Sequence, residues 1–364
     1  MNIVDSHQHF WNPRFIEVPW LKVERASFGD PAPLRGAYLP EHYRADAGSL
    51  HVTGTVHVEA ACRPEDGLLE TAWLTGLADA SGLPSAIVAY ADPEREDLET
   101  LLDQHARSPR LRGIRMRLNY DAASGRKMVR SADLMHSTAF RRGLRAIANR
   151  NLVFDLSIFP SQLGDAARLA AEVPEASLVL EHLGWPLATD PAAFDDWRSS
   201  MRALARQPNV TVKISGFWAI DSKWDKTSLA PWAKATLDCF GPHRCMYGSN
   251  FPIEKLMCPM PRQIESPTPM PSGLEVTKGS NRRAATAGSS PGPESSTETS
   301  TIAPPPAARA AMRSMPPPVP IASIALRTRF TSTCCTCTRS IRTGGRLGAS
   351  RVATVTPRSA APTR

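Results

Sequence analysis

Hydrophobic and polar positions follow two recurring rhythms over the first 256 residues. The first is a short run rich in Val, Ile and Leu. Eight such runs occur, at residues 3–9, 52–59, 85–91, 111–116, 152–157, 177–182, 210–215 and 245–250. Continuous apolar runs of this length are expected of parallel strands buried on both faces. The second rhythm is helical. Residues 65–80 place Leu68, Leu69, Trp73, Leu77 and Ala80 on one stripe. Asp92-Pro93-Glu94 offers an N-cap, a first-turn proline and an acid, and predicts the start of a second helix. Ser131-Ala132-Asp133 opens a third, through Phe140, Leu144 and Ile147. Residues 161–173 form a fourth. Asp190-Pro191 begins a fifth, carrying Phe194, Trp197, Met201 and Leu204, and residues 228–240 form a sixth. Residues 10–50, rich in Pro and Gly, read as a loop with short elements. Eight strands with helices in most of the gaps between them predict an α/β protein, a (β/α)8 TIM barrel. An open doubly wound sheet is the alternative, but no Gly-x-Gly-x-x-Gly follows a strand.

In such a barrel the active site lies where strands end and βα loops begin, and polar residues collect there in this chain. His7 and His9 end the first run. Side chains alternate along a strand, so both imidazoles face one way, which suits metal ligation or proton transfer. His57 and Glu59 end the second run with the same spacing. Tyr90 and Asp92 end the third. Arg115 lies on the fourth with Arg117 just beyond, and Asp155 and Ser157 end the fifth. Glu181-His182-Leu183-Gly184 ends the sixth, Lys213 and Ser215 the seventh, and Ser249-Asn250-Phe251-Pro252 the eighth. Simpler roles compete. Asp92 and Asp190 suit helix caps. Asp155 can pair with Arg115 or Lys213 inside the barrel. Trp11 and Trp218 read as pocket walls.

Taken together, Asp5-Ser6-His7-Gln8-His9-Phe10-Trp11, Gly54-Thr55-Val56-His57-Val58-Glu59-Ala60, Arg112-Gly113-Ile114-Arg115, Glu181-His182-Leu183-Gly184, Val212-Lys213-Ile214-Ser215-Gly216 and Met246-Tyr247-Gly248-Ser249-Asn250-Phe251-Pro252 resemble the amidohydrolase superfamily, in its amidohydrolase 2 branch. That branch contains 2-pyrone-4,6-dicarboxylate lactonase and sugar lactonases. The resemblance spans residues 1–256 and implies a hydrolase in which water attacks a lactone or related ester carbonyl. It implies that His7, His9 and His182 form a cluster that holds one divalent metal, such as zinc, in some members and works metal-free in others. The strand-8 acid usual in the family is Asn250 here, and Asn cannot take a proton at neutral pH. Glu59 or a histidine is then the candidate base, with Asn250 positioning water or substrate. Arg115 offers a planar fork for a substrate carboxylate. Lys213 and His57 complete the candidate substrate contacts with Trp11 and Trp218. The branch also resembles metal-dependent decarboxylases, and loss of the strand-8 acid raises the alternative of an inactive pseudoenzyme.

Charge changes the picture at the C-terminus. The net charge is +8, but residues 257–364 hold 14 Lys+Arg against 4 Asp+Glu, leaving the first 256 residues nearly neutral with 29 against 31. The tail contains no Asp, Trp or Tyr, and holds 16 of the 33 prolines. Such a segment buries too little apolar surface to offset its chain entropy, and is expected to be disordered. The abrupt change after Leu256, in place of the helix with which similar chains cover the seam between strands 8 and 1, reads as a frameshifted gene. A barrel ending there would leave that seam uncovered. Polycations attract nucleic acid, but the tail lacks the interleaved aromatics of single-strand binders, so a small-molecule substrate and no nucleic-acid partner are expected. No run of about 20 apolar residues is present, so no membrane span is expected. The start lacks a basic region followed by an apolar one, and the seven scattered cysteines show no repeated Cys-x-x-Cys pair; both features predict a cytoplasmic protein with reduced thiols.

Overall fold

The computed structural model describes residues 2–186, 190–265, 275–278 and 324–327. Each apolar run forms a strand: β1 (Asn2–Gln8), β2 (His51–Val58), β3 (Ala86–Tyr90), β4 (Leu111–Arg117), β5 (Val153–Ser157), β6 (Ser177–Leu180), β7 (Val210–Ile214) and β8 (Cys245–Tyr247). They pair in that order, all parallel. The sheet closes on itself just past β8. Asn250 N donates to the His7 carbonyl at 2.7 Å, and His9 N donates to the Phe251 carbonyl at 2.8 Å. The Ser6 hydroxyl donates to the Tyr247 carbonyl at 2.6 Å. Asp5 pins the seam from inside, accepting from Ser249 N, the Ser249 hydroxyl and the Tyr43 hydroxyl. Closure removes the exposed strand edges that an open sheet would carry.

The period of two sorts the side chains. Ile114, Phe154, Leu156, Val210 and Val212 are wholly buried in the apolar core. Each such side chain stabilises the fold by about 1.5–3 kcal/mol. Arg115 sits opposite Asp155 in the β4–β5 register, and these intervening positions carry the polar residues of the barrel interior.

Helices α1 (Pro40–Ala47), α2 (Gly67–Ser81), α3 (Leu98–His105), α4 (Thr138–Asn149), α5 (Leu163–Glu172), α6 (Pro191–Ala205), α7 (Lys226–Phe240) and α8 (Met260–Glu265) fill the connections. Asp190 caps α6 as the sequence predicts, accepting from Ala192 N and Ala193 N. Two starts differ. Asp92 accepts from Glu94 N in a tight turn, and α3 begins only at Leu98. A 3-10 turn follows Asp133, and Ser137 caps α4 by accepting from Ala139 N and Phe140 N. The buried face of α2 is also rolled away from the apolar stripe. Glu70, Thr71, Leu74 and Ala78 are buried, whereas Leu69 is 48% exposed. Two polar partners hold this roll: Glu70 accepts from Ala60 N at 2.8 Å, and the Thr71 hydroxyl meets His105 Nδ1 at 2.9 Å.

The described chain continues past Leu256 into α8, which packs on the barrel. Met260 is buried, and the Tyr247 hydroxyl meets Gln263 Oε1 at 2.7 Å. The segments Glu275–Lys278 and Ile324–Arg327 pair antiparallel. The rest of the stretch read as a disordered or frameshifted tail lies outside the described residues. Among the described residues no helix is long and apolar enough to cross a membrane, and Cys62, Cys239, Cys245 and Cys258 form no disulfide.

Candidate active site

The C-terminal ends of β1, β2, β4, β6 and β7 bring one buried cluster together. His7 is its centre. Its Nε2 lies 3.2 Å from His9 Nε2, its Nδ1 lies 3.3 Å from Glu181 Oε1, and its ring centroid lies 4.5 Å from that of His182. Local backbone sets these positions. His182, Leu183 and Trp185 all adopt positive φ, so the chain turns sharply off β6; Asn250 at the end of β8 does the same. Such conformations cost on the order of 1–3 kcal/mol each and gather at functional sites. Two glycines make room for the rings. A Cβ on Gly216 would sit 2.4 Å from the His182 ring, and one on Gly248 would sit 2.6 Å from His7 Cβ.

Each histidine is oriented. His9 Nδ1 faces the Val58 carbonyl at 2.7 Å and must carry the proton, which leaves a lone pair on Nε2. His182 Nδ1 meets the Ser215 hydroxyl at 2.9 Å. Burial lowers His9 and His182 to about 3, and lowers His7 well below its ordinary value, with the Lys213 charge adding to the effect. All three are therefore neutral imidazoles at pH 7.

Around them lies a charged lattice. Arg115 Nε donates to Glu59 Oε1 and Nη2 to the Glu59 carbonyl, both at 2.6 Å; Nη1 reaches Glu181 Oε2 at 3.0 Å. Lys213 Nζ donates to Asp155 Oδ2 at 2.5 Å and lies 3.8 Å from Glu181. Burial opposes charge on Glu181, but Arg115 and Lys213 overcome it and hold that carboxyl at about 2. Burial raises Asp155 to about 7 against the pull of Lys213.

Residues 4–270 match the family model described as Amidohydrolase. The chain belongs to the amidohydrolase family. It is 34% identical over 256 residues to the uncharacterised protein y4mH of Sinorhizobium fredii, covering 70% of this chain and 86% of that one. It is 31% identical over 261 residues to an L-fucono-1,5-lactonase of Burkholderia multivorans, covering 69% and 82%. Its fold is similar to the crystal structure of a Burkholderia multivorans amidohydrolase with bound zinc, at a TM-score of 0.60 and 28% identity, covering 71% and 88%.

The donor set of this amidohydrolase fits a divalent cation. His9 carries its proton on Nδ1, so the 3.2 Å contact makes His7 Nε2 the donor to His9 Nε2 and leaves the buried His7 Nδ1 without a hydrogen-bond partner, 3.3 Å from Glu181 Oε1. An unpartnered imidazole nitrogen beside a carboxylate suits a divalent cation. His7, Glu181 and His182 each offer a donor atom, all within 4.8 Å of one another. Glu181 thus joins the expected histidines, while His9 touches the group through His7. The sequence signal for Glu181 was its place directly before His182.

Four expected substrate contacts are committed elsewhere. The Arg115 fork is spent on Glu59 and Glu181, so it is no free clamp for a carboxylate. Lys213 is spent on Asp155. His57 Nδ1 accepts from Phe10 N at 3.0 Å, and its Nε2 lies 3.4 Å from Glu70. Trp11 is wholly buried, meets Trp20 edge-on and Tyr38 at a tilt, and donates its indole N–H to the Gly36 carbonyl at 2.9 Å. It holds the 10–38 loop. Trp218 remains half-buried, edge-on to Trp185, which in turn packs on His182. Glu59 is also occupied, with Oε2 accepting from Ala61 N at 2.7 Å. The sequence reading passed over Glu254. It is wholly buried, accepts from Trp218 N and Trp224 Nε1 at 3.2 Å each, and takes a side-chain hydrogen bond from Asn250. Burial raises it to about 7. Its spacing of four from Asn250 was the available signal.

Proposed function

We propose that the protein is a hydrolase that opens a lactone, a cyclic C–O ester, of a small sugar- or carboxylate-derived substrate. One observation carries this reading: neutral His7, His9 and His182 converge with Glu181 at the strand ends of the barrel. The 31% identity to an L-fucono-1,5-lactonase adds to it.

A divalent cation held by His7, His9, His182 and Glu181 would polarise the carbonyl and acidify water. The chain's own residues do the rest. Ser215 and the Val58 carbonyl fix the His182 and His9 rings. Where no cation occupies the cluster, an imidazole lone pair takes the proton of the attacking water, a role open to it because both oxygens of Glu59 are already bonded. Asn250, steadied by Glu254, positions water or substrate through its amide. The ring oxygen leaves as an alkoxide, receives that proton, and the product is the open hydroxy acid. Arg115 and Lys213 keep the buried Glu181 ionised, and their own charges are spent on that carboxylate, Glu59 and Asp155, which suits an uncharged lactone carbonyl.

The test is acid release from a lactone panel, by protein with and without chelator treatment. Ring opening of one or more sugar lactones supports the reading. Stable, folded protein that opens none overturns it.

A further inference from the structure

A cavity of about 460 Å³ lies over the ends of β2, β3 and β4, walled by Trp20, Glu59, Tyr90, Asp92, Arg117 and Arg130 among others. It adjoins the histidine cluster, since Glu59 holds Arg115 and the neighbouring Val58 carbonyl holds His9. The guanidiniums on its wall differ. Arg63 pairs with Asp66 at 3.1 Å, and Arg130 pairs with Asp92 and Glu94. Arg117 makes no ion pair among the described residues; its side-chain polar contact is the Met128 sulfur at 3.9 Å. A half-buried guanidinium that lacks a carboxylate has lost part of its hydration without a partner to replace it. Arg63 and Arg130 are answered by their own carboxylates and Glu59 by Arg115, so Arg117 is the charge on this wall that an anion would answer.

We propose, building on the lactone-hydrolase reading above, that this cavity receives the non-reacting end of the substrate and that Arg117 binds a carboxylate carried there. Arg117 is thus a specificity-determining residue. The planar fork matches a carboxylate bidentately. The Trp20 ring offers an apolar face to the sugar carbons. Arg115, spent on Glu59 and Glu181, cannot serve this end. The preferred substrate is then an acidic sugar lactone rather than a neutral one.

The experiment compares L-fuconolactone with the lactone bearing a C6 carboxylate in place of its methyl group. Wild type, Arg117→Met and Arg117→Lys are assayed, with melting curves to establish folding. Calorimetric titration with the ring-opened mono- and diacids runs alongside. The acidic lactone should have the higher kcat/KM in wild type. Arg117→Met should lower the acidic-to-neutral ratio at least about tenfold, as expected for losing hydrogen bonds to a charged group, and Arg117→Lys should restore part of it. A wild-type preference for the neutral lactone, or an unchanged ratio in Arg117→Met, overturns the proposal. If wild type opens neither lactone, the lactone reading fails and binding decides. Tighter binding of the diacid that is lost in Arg117→Met upholds the subsite, and equal binding of both acids overturns it.

Discussion

Replacing Arg115 with lysine separates two accounts of this residue. As a substrate clamp it would govern KM and matter little to stability. The structure makes it a strut between β2 and β6, with Nε and Nη2 on Glu59 at 2.6 Å each and Nη1 on Glu181 at 3.0 Å. Burial works against its charge, yet Glu181 and Glu59 together hold its pKa above the ordinary value. Arg115→Lys keeps the charge but loses the fork. One ammonium can serve Glu59 or Glu181, not both with good geometry. At about 1.5–3 kcal/mol for each hydrogen bond to a charged group, losing two costs about 3–6 kcal/mol. The total stability of a domain is only about 5–15 kcal/mol. With about 2–4 °C per kcal/mol for a domain of this size, the melting temperature should fall on the order of 10 °C. Thermal unfolding followed by circular dichroism reads this directly. A fall under about 2 °C, with KM for a lactone raised and kcat intact, would refute the strut and restore the clamp.

Three further outcomes follow from named contacts. Gly216→Ala places a Cβ 2.4 Å from the His182 ring at a φ of +64°, so turnover should fall at least about tenfold with a stability cost of about 1–2 kcal/mol; unchanged kcat would mean the ring moves aside freely. His105, enclosed by Thr71 and the Tyr90 carbonyl, is lowered by burial from 6.5 to about 4. The unfolded chain therefore takes up that proton first, so stability present above about pH 6.5 is lost as pH falls towards 4, by about 3 kcal/mol; urea denaturation of wild type and His105→Gln at pH 7 and 4.5 should reveal a smaller acid loss in the variant. Translation of the coding DNA beyond Leu256 in the other two frames should yield an amphipathic helix within about 30 residues, and its absence in both frames rules out the frameshift.

The barrel was legible because each strand is an apolar run and each run ends in polar residues. His7, His9 and His182 were legible because period-two spacing and strand ends can be read without coordinates. What stayed hidden depends on pairings between strands far apart in sequence. That Arg115 meets Glu59 and Glu181 is set by barrel register and closure, whereas of the two partners the sequence offered Asp155, Lys213 is the one that pairs with it. The roll of α2 was missed for a related reason. Its apolar stripe is real, but Glu70 and Thr71 turn inward to satisfy the buried Ala60 N–H and His105, and Leu69 is left exposed. Asp92 suited a helix cap by composition, yet Leu98 is the first residue of α3, because Asp92 closes a local turn instead.

The measurement that bears most directly on the proposed function is acid release from L-fuconolactone and its C6-carboxylate analogue by wild type and His182→Ala, with folding of both established by melting curves. The predicted result is turnover by wild type and a loss of at least about a hundredfold in the variant, the scale expected when a proton-transfer or binding group of the reacting centre is removed. Equal turnover by the two proteins would contradict the assignment of chemistry to the histidine cluster.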